Sequence, residues 1–239
     1  MSGHNKWSKI KRDKGIRDKN KGNVFSKLAR LITLAVIEGG GVTDPENNIK
    51  LRIAIEKAKS LNFPKENIER AIEKGSGPDR HLLKEVIYEA FGPGGISLII
   101  LATTDNLNRT LGEVRKILEL HNGKLGDQHS VSYLFKKCGL VTFKLSEAEE
   151  KPIFEFADKI NAFDFDKYGE NYCVYFPYEN LGKVNVYKGN LKTQRIEVDY
   201  KPNSQISIGD EQTTRKVVDL IDALENLDDV QKVFSNGKI

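Results

Sequence analysis

Beyond residue 82 the hydrophobic period changes from helical to alternating, and the unit that begins there is left unfinished. Residues 83–91 and 96–104 are predicted strands joined by Gly92-Pro93-Gly94-Gly95, Leu107–Leu120 is a predicted amphipathic helix, and Ser130–Phe135 is a further predicted strand. The helix and strand that this ββαβ run lacks stand at the far end. There Val217, Leu220, Ile221 and Leu224 share one helical face, and Val230–Phe234 reads as a strand. Between them, strands at 139–144, 163–167, 171–176 and 194–199 with helices at 147–160 and 178–191 spell a complete βαββαβ set, the ferredoxin-like order. The economical organisation is one α/β domain, residues 79–135 and 206–239, interrupted by a second, residues 136–205. Pro202-Asn203-Ser204 suits the return linker.

The first 78 residues follow a different plan. Phe25, Leu28, Ile32 and Ala35 recur at helical spacing until Gly39-Gly40-Gly41, which supplies the left-handed residue that ends helices. Asp44-Pro45 offers a cap for a second helix with Leu51, Ile55 and Ala58 on one face; Pro64 opens a third with Ile68, Ala71 and Ile72 inward. Gly75-Ser76-Gly77-Pro78 reads as the linker that follows. The expected class is therefore α+β: an N-terminal all-helical domain with a basic arm (1–78), plus two ferredoxin-like α/β domains, one inserted in the other.

Charge is unevenly placed along this plan. The first thirty residues hold ten Lys/Arg against two Asp, whereas the remainder holds 28 basic and 32 acidic residues. A positive arm on a mildly acidic body is the electrostatic footprint of phosphate contact, because each cation that neutralises a phosphate releases condensed counterions. Lys6, Lys9, Lys11, Arg12, Lys14, Arg17, Lys19 and Lys21 are the candidate phosphate contacts. Trp7, the chain's only tryptophan, is a candidate for stacking on a base or anchoring the arm to the helices.

Other chemistries find no purchase. The longest apolar runs, Leu31–Ile37 and Ile96–Ala102, fall short of the roughly 20 residues a membrane span requires. No secretory or transit leader is legible, so a cytoplasmic protein without membrane contact is expected. Cys138 and Cys173 read as reduced core thiols rather than a disulfide framework. The glycine-rich segments do not continue into a phosphate-wrapping motif, and His4, His81, His121 and His129 have no ligand spacing. No catalytic residue, metal, cofactor or small-molecule substrate is expected. Asp219, Asp222, Glu225, Asp228 and Asp229 suit the solvated face of a helix.

Arg109 stands apart. It falls in the first turn of a helix that leaves a central strand, where a cation opposes the helix dipole. It is either paired locally with Asp105, the favoured reading, or held for an anionic partner, with Arg115 and Lys116 extending a positive strip.

Gly3-His4-Asn5-Lys6-Trp7, Phe25-Ser26-Lys27-Leu28, Asn62-Phe63-Pro64, Asn67-Ile68-Glu69-Arg70-Ala71-Ile72 and Tyr88-Glu89-Ala90-Phe91-Gly92-Pro93-Gly94-Gly95 carry a family likeness. So do Thr104-Asp105-Asn106-Leu107-Asn108-Arg109-Thr110, Gly123-Lys124-Leu125-Gly126 and Leu224-Glu225-Asn226-Leu227-Asp228-Asp229-Val230-Gln231. With these the chain closely resembles the YebC family of bacterial regulators, kin of the mitochondrial translational activator of cytochrome c oxidase. The resemblance implies three domains with the third inserted and no enzyme activity. It also implies either DNA-binding transcriptional regulation or a ribosome-associated role in relieving stalling. Asn5, Ala90-Phe91 and Leu107 depart from the family's usual Ser, Gly-Tyr and Arg.

The leading expectation is a non-enzymatic, nucleic-acid-binding regulator of gene expression. Its arm is the contact, and ribosomal RNA or the ribosome is favoured over promoter DNA because no base-reading residues open a recognition helix at helix-turn-helix spacing. A DNA-binding transcriptional regulator is the alternative, and a protein-interaction adaptor tethered by its arm is the runner-up from another class.

Overall fold

The computed structural model describes residues 21–78 and 83–238. Lys6, Trp7, Lys9, Lys11, Arg12, Lys14, Arg17 and Lys19 lie outside the described residues. Residues 135–201 form one compact unit, and the other described residues form a second.

The second unit begins with three helices, α1 (Lys21–Glu38), α2 (Ile49–Ser60) and α3 (Lys65–Ser76). Leu28, Ile32, Ala35 and Val36 of α1 pack with Leu51, Ala54, Ile55 and Ala58 of α2 and with Ile68 and Ala71 of α3, so the helical period read from the sequence is the period of this core. Helix α1 ends as its glycines dictate. Gly40 and Gly41 have φ of 71° and 89°, and their amides return to the Ile37 and Val36 carbonyls. The start of α2 differs from expectation: Asn48 is the cap, its side chain accepting from the Leu51 amide, while Asp44 closes a turn by accepting from the Glu46 amide and the Asn47 side chain. Gly75 belongs to α3 rather than to a linker. A Cβ there would stand 2.7 Å from the Thr33 carbonyl oxygen, so glycine lets α3 close on α1.

Strands β1 (Lys84–Phe91) and β2 (Ser97–Thr104) form an antiparallel hairpin, with Lys84 opposite Thr104 and Phe91 opposite Ser97. Helix α4 (Leu107–Leu120) leads to a short edge strand, β3 (Lys124–Leu125), which pairs with β1. The sequence reading differs here, since Ser130–Phe135 does not form the third strand of this sheet. Glu89 explains it: its carboxylate accepts the amides of His129, Val131 and Ser132, so those donors are satisfied by a side chain and the segment folds as a loop and a 3-10 turn at Ser132–Leu134.

The inserted unit carries β4 (Phe135–Lys144), α5 (Glu150–Lys159), β5 (Asp164–Tyr168), β6 (Asn171–Pro177), a short α6 (Val184–Tyr187) and β7 (Arg195–Pro202). Its sheet order, β5-β6-β4-β7, is that of a ferredoxin-like domain. Phe143 meets Phe156 of α5 edge to face, and Cys138 and Cys173 are buried and not joined in a disulfide, the Cys138 thiol donating to the Asp199 carbonyl and Cys173 Sγ lying 3.8 Å from the Thr142 hydroxyl. The helix expected at 178–191 is a 3-10 turn over Tyr178–Lys183 followed by the single turn of α6. Asn180 is buried there, with its amide donating to the Ile160 carbonyl, a tie that a continuous exposed helix would not make.

After β7 the chain forms β8 (Ile206–Ser207), α7 (Glu211–Glu225), β9 (Val230–Ser235) and β10 (Gly237–Lys238). β9 lies antiparallel beside β2, giving the order β3-β1-β2-β9. Leu98, Ile100 and Ala102 of β2 share one core with Val114 and Leu118 of α4 and with Val217, Leu220, Ile221 and Leu224 of α7. With β1 and β9 on its two sides, β2 is the central strand that its largely apolar sequence suggested.

Candidate nucleic-acid interface

The corner between β2 and α4 is assembled from local hydrogen-bond chemistry. Asn106 caps α4, its side-chain oxygen accepting the Arg109 amide at 3.1 Å, and the Thr104 hydroxyl accepts the Asn106 amide at 2.9 Å. The cap places Arg109 in the first turn with its guanidinium turned back. One nitrogen, Nη2, donates to Asp105 Oδ1 and to Asp229 Oδ2, each at 2.8 Å. The local pair with Asp105 is present, and Asp229 is a second partner from the other end of the chain.

Asp229 is the centre of the arrangement. It is 2% exposed and precedes β9, beyond the end of α7, so it does not belong to the solvated helix face that its sequence neighbours suggested. Its Oδ2 also accepts the Thr110 and Thr104 hydroxyls at 2.6 and 3.1 Å, its Oδ1 accepts Arg30 Nη1 at 2.6 Å, and its carbonyl accepts the Thr103 amide. Burial would raise its pKa, but the hydrogen bonds from Thr110 and Arg109, the Arg30 charge and the Thr104 hydroxyl together hold it below the usual carboxylate range. Arg109, clasped by two carboxylates, is held further into its charged form.

Arg30 draws the first helix into this corner. Asn23, Lys27 and Arg30 recur at helical spacing on α1 and donate to the carbonyls of Asn226, Glu225 and Asp228. These carbonyls lie at the end of α7 and just beyond it, where cations favour the negative end of the helix dipole and donors replace lost helical partners. Lys27 and Arg30, counted with the arm's charge in the sequence, are thus engaged within the fold. Lys21 opens α1. Arg115 and Lys116 are exposed further along α4.

Among the candidate contacts, the described residues therefore set Arg109 in an internal ion-pair network. The partners that sequence reasoning missed are Asp229, Arg30, Lys27 and Asn23. Asn23, Lys27 and Arg30 stand at i, i+4 and i+7, but their acceptors are backbone carbonyls 198 to 203 residues away, which carry no sequence signal.

Residues 5–78 match the model of the TACO1/YebC protein N-terminal domain, and residues 83–237 match that of the TACO1/YebC second and third domain. The chain belongs to the TACO1/YebC family. A probable transcriptional regulatory protein of Aquifex aeolicus is 43% identical to this TACO1/YebC protein over 242 residues, covering 100% of this chain and 96% of its own. One from Borrelia turicatae is 42% identical, with 100% and 98% covered. The crystal structure of a conserved hypothetical protein from Aquifex aeolicus superposes with a TM-score of 0.84 at 42% identity, covering 92% of this chain and 91% of that one.

Proposed function

We propose that this protein is a non-enzymatic regulator of gene expression that binds nucleic acid through its basic arm, Lys6 to Lys21. The observation that carries the proposal is the charge division: eight Lys/Arg within residues 6–21 against two Asp, on a body whose acidic residues outnumber its basic ones. The names of the relatives, probable transcriptional regulatory proteins, support regulation of gene expression.

RNA, with ribosomal RNA as the leading case, is favoured over duplex DNA. Helix α3 is the segment that would serve as a recognition helix after α2, yet Glu66, Glu69 and Glu73 offset Lys65, Arg70 and Lys74. A helix of balanced charge is poorly suited to the strongly negative major groove. The relatives' names favour the alternative, a DNA-binding transcriptional regulator.

Sedimentation of cell lysate through a sucrose gradient, paired with binding of the purified full chain to single-stranded RNA and duplex DNA, tests the proposal. Travel with ribosomal particles supports the RNA reading, and travel with the nucleoid supports the DNA alternative. Absence from both, with no binding to either nucleic acid, overturns the proposal in favour of a protein-interaction adaptor.

A further inference from the structure

Resting on the nucleic-acid reading above, we propose that Tyr133 is a rigid stacking platform for an unpaired base of single-stranded RNA. The ring is 71% exposed, although the backbone on both sides of it is fixed. On the N-terminal side, the Glu89 carboxylate accepts the amides of His129 at 2.8 Å, Val131 at 2.6 Å and Ser132 at 2.7 Å. On the C-terminal side, Asn203 Nδ2 donates to the Tyr133 carbonyl at 3.0 Å and the Asn203 amide donates to the Leu134 carbonyl at 2.8 Å. The far end of the same loop is tied as well, because the Gly126 amide donates to the Glu89 carbonyl.

This arrangement is expensive for a surface loop. Glu89 is 5% exposed, and a buried carboxylate is tolerated only when its oxygens are fully hydrogen-bonded. Burial alone would raise its pKa; the amides of Val131, His129 and Ser132 outweigh that and hold it below the ordinary range. His129 sits at φ of 67°, a conformation that side chains with a Cβ rarely adopt and that persists only where the surroundings impose it. Val131, fully buried, plugs the loop into the unit. The outcome of all these ties is an aromatic side chain that projects from a preformed backbone and loses little freedom on contact.

The loop's chemistry selects the occupant. From Gly126 to Leu134 it has no Lys or Arg and one Asp, so it offers no phosphate contact of its own. The other exposed residues of the loop are Asp127, Gln128 and His129, polar groups rather than the apolar ring that surrounds a protein hot spot. A base face, which every nucleotide has, fits one exposed ring on a loop whose other exposed side chains are polar. The arm then supplies the salt-dependent part of binding and Tyr133 a salt-independent part.

The test uses the full chain with a dye-labelled 12-nucleotide single-stranded RNA and a duplex DNA, titrated at several salt concentrations. Tyr133→Ala is expected to weaken RNA binding about 5- to 150-fold, the range for loss of one base stack. The slope of affinity against salt should stay unchanged, duplex binding should stay within about twofold, and Tyr133→Phe should retain most of the RNA affinity. Because the ring is exposed, the variants should melt with the parent, which a thermal scan verifies. Cross-linking of 4-thiouridine RNA should label the Tyr133 peptide. If the parent binds neither nucleic acid, the arm's role and the platform fall together. If the parent binds RNA and Tyr133→Ala binds equally well, only the platform is overturned. Intact RNA binding with lost co-sedimentation on ribosomal particles would likewise overturn it, assigning Tyr133 to a protein contact.

Discussion

Arg109 and Asp229 stand 120 residues apart in the chain and meet at 2.8 Å, with Asp229 reaching on its other oxygen to Arg30 of the first helix. One buried carboxylate thus ties together the start of α4, the start of β9 and the face of α1. Since Asp229 keeps four side-chain donors, its partners differ in what their loss should cost.

Arg109→Ala removes the charged hydrogen bond to the buried Asp229 together with the exposed pair to Asp105, and should destabilise the protein by about 1.5–2 kcal/mol in urea unfolding. Asp105→Ala removes only the exposed i, i+4 pair and should cost about 0.3–0.5 kcal/mol. Equal losses would mean that the long-range bond contributes nothing beyond the local one.

Asp229→Ala leaves two guanidinium groups and two threonine hydroxyls without their common acceptor. Because both arginines are partly exposed, the loss should sit near the low end for a broken buried pair, about 3 kcal/mol. Amide exchange should rise together in α1 and α4, the elements this carboxylate joins.

Asp229 and Glu89 both have pKa values lowered in the fold. Depressed carboxylates add stability that is fully present above their unfolded values, about 3.9 and 4.3, and that is lost as pH falls through the folded ones. Thermal melts should be insensitive to these groups between about pH 6 and 7 and fall steeply below about pH 4. Asp229→Asn and Glu89→Gln should each start less stable and flatten that fall. Glu89→Gln should also speed exchange of the His129, Val131 and Ser132 amides.

A chain ending at residue 205 lacks α7 and β9, which supply Val217, Leu220, Ile221, Leu224, Val230 and Val233 to the core around β2. It should lose the cooperative unfolding of the whole second unit, measured as a broadened and lowered thermal transition, rather than shed an independent tail.

Replacing Lys11, Arg12 and Lys14 together by alanine should lower the log-log dependence of affinity on salt by about 2 to 3 on duplex DNA, and by somewhat less on a single strand. All sequences should weaken alike, because phosphate contacts carry no base information. An unchanged slope would remove the arm from the binding surface.

Local chemistry made much of this protein legible in its sequence. The faces of α1 to α3, the glycine stop after Glu38, the β1–β2 hairpin and the amphipathic α4 and α7 follow from periodicity and capping that act within a few residues. The Arg109–Asp105 pair was readable for the same reason, since four residues on a helix are neighbours by geometry. What only the tertiary structure decided is where polar groups find partners across long sequence distances. Glu89 turned a predicted strand at 130–135 into an anchored loop, and the turn after α7 carried Asp229 from an acidic run into a buried site. Asn23, Lys27 and Arg30 found backbone carbonyls, acceptors that every residue possesses and no sequence pattern singles out. Desolvation forces each buried polar group to be satisfied, but which distant group satisfies it depends on how the packed elements meet.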